Sequence, residues 1–200
     1  MKRFLEMILP KILSSDVTCE IFDLGSKSQF IKKFPKRLSG YSSWMQNDRR
    51  IVLLVDADQD DCYEFRSRLL AEIRKSGLTV TSLSSSHQGQ VLLCIVIEML
   101  EARLFGDAQA IGSVYGKQFM SVGAKKGYRR PDEIRDPALR LQNMLKRVPK
   151  HRAGLKKADL VSDVVPHMDV DNNASISFCR FRDGVRFLIN SSQESYAPSN

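Results

Sequence analysis

The 200-residue chain has few cysteines and no paired cysteine motif. Its four cysteines are scattered, and none belongs to a CxxC pair: Cys19, Cys62, Cys94 and Cys179. A disulfide scaffold or a zinc site would place cysteines at close, regular spacings. A chain of this length can bury a core without such cross-links. We therefore expect reduced thiols in a cytoplasmic protein.

The chain also has no apolar run long enough to cross a membrane. The longest run, VLLCIVIEML at 91–100, contains a glutamate and is far shorter than the roughly 20 residues that a transmembrane helix needs. The opening stretch MKRFLEMILPKIL is interrupted by Glu6, Pro10 and Lys11, and no small-residue cleavage site follows. Its apolar residues recur at helical spacing, which predicts a helix to about residue 13.

Acidic residues are outnumbered by basic ones. The 31 Lys and Arg against 23 Asp and Glu give a net charge of +8, and the excess clusters at 32–37, 125–130 and 146–157. Together these clusters predict a polyanionic partner, most simply nucleic acid. For any single cluster, a solvated helix face is the simpler interpretation. Tyr41 and Trp44 lie beside basic residues and are interpreted either as platforms for bases or as helix-packing residues.

Strand-like and helical patterns alternate over the first half of the chain. The apolar runs at 51–55 and 91–97 are typical of strands buried in a parallel sheet, and the amphipathic pattern at 62–77 predicts a helix between them. Further strands are predicted at 17–22 and 78–83, and Pro35 is expected to bend or end a helix that begins near Ser26. These patterns predict an α/β fold with a mostly parallel central sheet flanked by helices.

Apolar strand runs stop after Asp107. The patterns at 131–148, 156–168 and 172–188 are helical, so we expect an α/β core over 1–107, a helical C-terminal subdomain over 108–190 and a flexible tail over 191–200. No internal repeat or low-complexity segment interrupts this order.

Carboxylates follow both buried strands. Asp56 ends the first strand, Asp58 comes two residues later, and Glu98 and Glu101 follow the second strand. Ligands in open α/β sheets bind at the carboxyl ends of the strands, and clustered carboxylates favour a hard cation such as Mg²⁺ or Mn²⁺. If the strands are neighbours, these four acids are predicted to converge as metal ligands and catalytic residues for phosphodiester chemistry.

Helix capping is the competing interpretation of the same acids. Asp58, Asp60 and Asp61 precede a predicted helix, where carboxylates accept from free N–H groups and complement the helix dipole. Asp60 and Asp61 are better interpreted as caps than as ligands. The GSKS stretch at 25–28 lacks the spacing of a phosphate-binding loop and is likewise interpreted as a helix cap.

Four segments resemble, in order and spacing, the bacterial family classed as domain of unknown function 4276: VLLVDADQDDC, IVIEMLEARLFGD, GYRRPDEIRDP and HMDVDNNASISF. The resemblance runs from about Phe4 to Leu188 and implies a Toprim-like fold, the metal-binding module of topoisomerases, primases and OLD-type nucleases. It also implies an association with mobile and phage-defence loci and an ATPase partner.

The resemblance carries over to particular residues. It places the Toprim DxD at Asp56 and Asp58 and matches the family's EELEAW block to Glu98–Arg103, with Met99 where a second Glu is usual and Arg103 where Trp is usual. The resemblance implies that family members carry a Glu-bearing strand before the helix at which this chain begins. The first strand is absent from this sequence, either because the true start lies upstream or because this version has lost part of its site. A central sheet that is short of a strand leaves an edge through which an oligomer could form.

The remaining candidates are basic and polar residues. Lys27 matches a Gly-Lys feature of the family, and we expect Lys27, Arg129, Arg130 and Lys157 to contact nucleic acid. The family's C-terminal block includes Lys157, His167, Asn173, Ser175 and Ser177, of which Ser175 or Ser177 most simply caps the last helix.

Three functions compete at this point. The first is a Toprim-like, Mg²⁺-dependent nuclease component that acts on nucleic-acid phosphodiesters in phage defence with an ATPase partner. The second is a non-catalytic Toprim-like subunit that binds nucleic acid or regulates a partner, favoured by Met99 and the missing strand. The third, a small-molecule phosphotransferase or hydrolase, lacks a recognisable nucleotide loop.

Overall fold

The protein is described here from a computed structural model. The described residues are 1–46, 48–56, 61–85, 87–96, 100–152 and 154–194, with only the backbone described for Asp56 and 191–194. The helices and strands follow one another as α1 Lys2–Ile12, α2 Lys27–Trp44, β1 Ile51–Asp56, α3 Cys62–Lys75, β2 Val91–Val96, α4 Leu100–Phe105, α5 Ala108–Tyr115, α6 Pro137–Leu145, α7 Lys157–Val164 and α8 Ile176–Glu194. Short 3-10 turns connect several of the later helices.

The fold confirms the predicted α/β class. β1 and β2 form a parallel pair, and their register runs from Ile51 with Val91 to Asp56 with Val96. α3 connects the two strands as a crossover helix, and helices make up the C-terminal part of the chain. Within the described residues, no helix has the length and apolarity needed to cross a membrane.

The described chain divides into two compact units. Unit 1 contains 1–21 and 98–182, and unit 2 contains 22–97 and 183–200. A compact unit is defined by internal contacts, whereas a domain is defined by independent folding. The predicted domain boundary after Asp107 therefore stays a prediction. The flexible tail predicted at 191–200 also stays a prediction, because α8 continues to Glu194 and 195–200 lie outside the described residues.

The core of unit 2 lies between the two-stranded sheet and the helices α2 and α3. Phe30 and Phe34 of α2 stack with ring centroids 4.9 Å apart, and α3 contributes side chains at helical spacing, Phe65, Leu69 and Ile73. The strands supply the buried residues Leu53, Val55, Val91 and Leu93. Burial of this apolar surface holds the two strands in place.

The core of unit 1 is helical. α1 buries Phe4, Ile8 and Ile12 at 3.6-residue periodicity and packs against α7 and the turn that follows it. Phe4 meets Phe178 edge to face at 6.5 Å. The N-terminal helix, which was predicted correctly from periodicity, thus belongs to the same core as the C-terminal helices.

The predictions of two further strands are wrong, because neither segment forms a regular strand. Residues 17–22 have no regular secondary structure, and most of their side chains are exposed. Residues 78–83 make only isolated bridges, Val80 with Val91 in parallel and Ser82 with His87 in antiparallel. Alternation in sequence permits a strand but does not supply a partner edge, so the sheet of the described residues has two strands.

α2 continues through Pro35 from Lys27 to Trp44. Of the two predicted outcomes, an end of the helix at this proline is therefore wrong, and a bend stays a prediction. Proline removes one backbone donor, but Phe30, Phe34 and Leu38 around it are all buried in the core. Burial of these three side chains outweighs the local cost of the proline.

Candidate functional site

The carboxyl ends of β1 and β2 lie side by side. Asp56 and Val96, the last residues of the two strands, are register partners. The strands are therefore neighbours, as the predicted site requires. Asp58 and Glu98 fall outside the described residues, and the Asp56 side chain is not described, so the predicted meeting of these carboxylates stays a prediction.

Asp61 is a helix cap, as predicted. Its Oδ1 accepts from the backbone N–H groups of Tyr63 at 2.8 Å and Glu64 at 2.9 Å, at the N-terminus of α3. Both bonds satisfy donors that have no partner within the helix. Asp60 lies outside the described residues.

Glu101 is the predicted ligand whose side chain the structure describes. It is buried in α4 with 4% exposure, and its Oε1 lies 3.1 Å from the Nζ of Lys157 at the start of α7. Its Oε2 has no hydrogen-bond partner among the described residues. A buried carboxylate oxygen without a partner is costly, so the chemistry of this oxygen suits a cation or a water molecule.

α4 also carries a buried arginine that sequence reasoning did not identify as buried. Arg103 is 2% exposed. Its guanidinium carbon lies 6.0 Å from the Phe4 ring centroid and 5.7 Å from that of Phe181. Arginine thus occupies an aromatic-lined position through cation–π contacts, which a pattern based on charge alone does not reveal.

The C-terminal motif block fixes the ends of α4 and α8. Asn173 donates from Nδ2 to the carbonyl of Arg103 at 3.0 Å, and its Oδ1 accepts from the Ser175 backbone N–H at 2.9 Å. A Cβ on Gly106 would lie 1.9 Å from Asn173 Oδ1, so the close approach of the two chain segments requires glycine. Asn173 therefore has a structural role next to α4, the helix that carries the buried Glu101.

Asp132 and Ser175 together cap α8. Ser175 Oγ donates to Asp132 Oδ1 at 2.7 Å and accepts from the Phe178 N–H at 3.2 Å. Asp132 Oδ2 accepts from the Ser177 N–H at 2.8 Å. The predicted cap at Ser175 is confirmed. The second capping group, the carboxylate of Asp132, lies more than 40 residues earlier in the sequence and was identified only from the structure.

The predicted nucleic-acid contacts belong to both compact units. The Lys27 Nζ lies 4.5 Å from the Phe65 ring centroid in unit 2, and Ser26 caps α2 with a capping box, which confirms the cap interpretation of GSKS. In unit 1, Arg129 donates to the carbonyl of Ala124 at 3.0 Å. Arg130 pairs with the exposed Glu133 at 3.0 Å.

A second polar cluster in unit 1 surrounds Asp163. Tyr115 Oη and Lys150 Nζ donate to Asp163 Oδ2 at 2.9 and 2.6 Å. Burial raises the pKa of Tyr115 above its ordinary value, and the bond to Asp163 adds to this effect. Burial of Asp163 opposes ionisation, but the bonds from Lys150 and Tyr115 outweigh burial and lower the pKa of the carboxyl.

His151 packs against this cluster through its ring. It is 2% exposed, and its ring meets Tyr115 edge to face at 5.0 Å. Burial, reinforced by the neighbouring Lys150 charge, lowers the pKa of His151. The imidazole is therefore neutral near pH 7, and sequence reasoning missed this residue because a histidine within a basic run carries no burial signal.

A metal site that has several protein ligands requires their side chains to converge. No group of three or more His, Cys, Asp or Glu side chains converges among the described residues. This finding does not reach Asp56, Asp58 or Glu98, whose side chains are not described. Glu101, with its buried and unpartnered Oε2, fits a hard cation by its donor chemistry.

Comparison with known families gives one result. The model of the family described as Domain of unknown function (DUF4276) matches residues 1–186. The chain belongs to this family. No curated protein and no solved structure matches it. The DUF4276 match spans both compact units, so the helical unit 1 and the sheet of unit 2 are both parts of the family's pattern.

Proposed function

We propose that this chain is a Toprim-like, metal-dependent nuclease component that acts on nucleic-acid phosphodiesters. The observation that carries the proposal is the parallel pairing of β1 and β2, with Asp56 and Val96 as partners at their carboxyl ends. Parallel strand ends are where α/β proteins bind ligands. Asp58 and Glu98 follow these two paired ends by two residues each, which is the acidic pattern that phosphodiester chemistry uses.

In this proposal Asp56 and Asp58 hold Mg²⁺ or Mn²⁺, and Glu98 and Glu101 are the further ligands predicted from the sequence. A divalent ion held by these residues supplies Lewis-acid activation of the phosphodiester and of the attacking water. The carboxylates orient the ion, and the buried environment of Glu101 keeps bulk water from its oxygens.

The basic residues bind the phosphate backbone in the same proposal. The ion pair of Arg130 with Glu133 is exposed on both sides, and such pairs contribute only about 0–1 kcal/mol, so Arg130 exchanges readily to a phosphate. Lys157 reaches solvent with about half of its side chain, at 57% exposure. Lys27 and Arg129 complete the proposed set, and the net charge of +8 favours association with a polyanion.

The second candidate is a non-catalytic Toprim-like subunit that binds nucleic acid or regulates a partner. The ion pair between Glu101 and Lys157 favours it, because a lysine at 3.1 Å neutralises the carboxylate without a metal ion. Met99, in place of the second glutamate of the family's block, points in the same direction. A role in phage defence with an ATPase partner belongs to both candidates, and the family resemblance is its only support.

Metal binding decides between the candidates. We would titrate Mn²⁺ and Mg²⁺ into the whole chain by calorimetry, together with Asp56→Asn and with Glu6→Gln as a control at an exposed carboxylate of α1. The nuclease proposal expects the parent and Glu6→Gln to bind metal equally. It expects Asp56→Asn to bind at least about 100-fold more weakly, since even outer-shell changes cost about 10–100-fold.

We would then measure cleavage of labelled single- and double-stranded DNA and RNA by the same three proteins, the parent, Asp56→Asn and Glu6→Gln. The proposal expects Mg²⁺-dependent cleavage by the parent and its loss in Asp56→Asn. If the parent binds nucleic acid but neither binds metal nor cleaves, and Asp56→Asn binds nucleic acid equally well, the nuclease proposal is wrong and the non-catalytic subunit takes its place.

A further inference from the structure

One surface of unit 2 presents alternating aromatic and arginine side chains. We call this surface the aromatic–arginine row and define it by five residues: Phe22, Arg37, Tyr41, Trp44 and Arg49. None of these five residues belongs to the predicted acidic site or to the four basic residues predicted as nucleic-acid contacts.

Each member of the row contacts the next. The Arg37 guanidinium lies 4.5 Å from the Phe22 ring centroid, and its Nη1 donates to Tyr41 Oη at 3.2 Å. Tyr41 meets Trp44 edge to face at 5.5 Å. The Arg49 guanidinium lies 5.5 Å from the Trp44 ring centroid. Cation–π and aromatic contacts thus form an unbroken series of five side chains.

Large aromatic rings in this row are open to solvent. Trp44 is 57% exposed and Phe22 is 53% exposed, so Trp44 is not a buried core residue. Arg37 and Arg49 are exposed as well. Single exposed apolar residues are common, but two exposed rings that are joined through Arg37 and Tyr41 form a surface on which planar groups can stack.

The helix that carries Arg37, Tyr41 and Trp44 is positively charged, whereas acidic residues adjoin Phe22 and Arg49 in the sequence, namely Asp23 and Asp48. α2 contains Lys27, Lys32, Lys33, Lys36 and Arg37 and has no acidic residue. Arg37, Tyr41 and Trp44 are spaced i, i+4 and i+7, which places them along one face of the helix. Seven residues of helix extend about 10 Å.

We infer that the aromatic–arginine row binds single-stranded nucleic acid, with bases stacked on Trp44 and Phe22 and phosphates contacted by Arg37 and Arg49. Aromatic platforms within a basic surface are the pattern of sequence-tolerant single-strand binding. A duplex fits less well, because its bases already stack on one another. This inference deepens the proposed function by naming the strand form, but its binding step needs no metal ion.

Trp44 provides a direct signal, because it is the one tryptophan of the sequence. We would titrate the whole chain with a dT₁₂ oligonucleotide in EDTA and follow tryptophan fluorescence, with a 12-base-pair duplex as the comparison. Stacking of a base on the indole is expected to quench the emission. The duplex is expected to bind more weakly and to quench little.

Variants test the row by anisotropy of a labelled oligonucleotide. Trp44→Leu is expected to weaken binding roughly 5- to 100-fold, the range for loss of one stacked base, and Trp44→Phe is expected to restore most of it. Arg37→Gln with Arg49→Gln is expected to reduce the salt slope by about 1.4, since each phosphate contact contributes about 0.7 for single strands. Arg66→Gln with Arg74→Gln, at two exposed arginines of α3 outside the row, removes the same number of charges and controls for net charge.

Two results would overturn the inference. One is equal affinity of the parent, Trp44→Leu and the double arginine variant, all checked for folding by circular dichroism. The other is duplex binding as tight as single-strand binding with no change in Trp44 emission. All of these titrations contain EDTA, so neither result bears on metal-dependent cleavage. The cleavage assay with Asp56→Asn tests that part of the proposed function separately.

Discussion

At the scale of single residues, burial changes the chemistry of polar side chains in unit 1. Glu101, Arg103 and His151 are all buried, and a different feature reduces the free-energy cost of burying each side chain. Glu101 pairs with Lys157 through one oxygen, Arg103 lies near two aromatic rings, and His151 avoids the cost by staying neutral.

The buried His151 predicts a pH-dependent stability. Its pKa in the folded protein lies below the unfolded value of about 6.5, so the unfolded chain binds more protons at mildly acidic pH. The free energy of unfolding should therefore be constant above about pH 6.5 and fall below it, by at most about 1.4 kcal/mol per pH unit from this residue. Urea unfolding at several pH values between 5 and 7.5 measures this slope.

The matched variants are His151→Gln and His167→Gln. His151→Gln should flatten the slope over this pH range, whereas His167→Gln, at an exposed histidine, should keep the slope of the parent. An unchanged slope in His151→Gln would show that another group causes the pH dependence.

At the scale of helices and strands, the helix caps can be predicted from the local sequence. Ser26 caps α2, and Asp61 caps α3 through two backbone donors. These caps act over two or three residues, so their pattern is complete within a short stretch of sequence. The strands are different, because a strand needs a partner that the local sequence does not specify.

Substitution of Asp61 separates capping from metal binding. Asp61→Ala removes both bonds to the N-terminus of α3 and should lower the free energy of unfolding by about 1 kcal/mol, up to about 2. Asp61→Ser keeps a capping oxygen without the charge and should retain most of the stability. Urea unfolding and calorimetric metal titration of both variants check this.

A ligand role for Asp61 predicts a different pattern. In that case Asp61→Ser, with a cap but no carboxylate, would lose metal affinity as strongly as Asp61→Ala does. We expect both variants to keep the parent's metal affinity.

At the scale of the whole molecule, the N-terminal helix is part of the C-terminal core. Phe4 and Ile8 are fully buried, and Lys11 of the same helix donates from Nζ to the carbonyl of Met168 at 2.9 Å. Unit 1 is therefore assembled from segments separated by more than 70 residues of chain. A fragment that contains only the C-terminal helices lacks part of its own core.

Phe4→Ala tests this assembly. Removal of a fully buried phenylalanine that contacts Phe178 should lower the free energy of unfolding by about 3–5 kcal/mol. The control Phe22→Ala makes the same chemical change at a half-exposed ring and should cost less than about 1 kcal/mol. Equal and small losses in both variants would contradict the placement of α1 in the core of unit 1.

The sequence by itself determined the features that depend on near neighbours along the chain. The helical periods of α1 and α3, the caps at Ser26 and Asp61, and the two apolar strands were all predicted, and so was the α/β class. The spacing of Asp56 and Asp58 after the first strand likewise predicts where a metal site would lie. Each of these depends on contacts within a few residues or on burial of one continuous run.

Only the tertiary structure decided which distant groups meet. The pairing of Glu101 with Lys157, the cap of α8 by Asp132 and the burial of Arg103 and His151 all depend on long-range packing. The physical reason is that a side chain's environment is set by the surfaces packed on it. Those surfaces come from segments that share no period or spacing with it in the sequence.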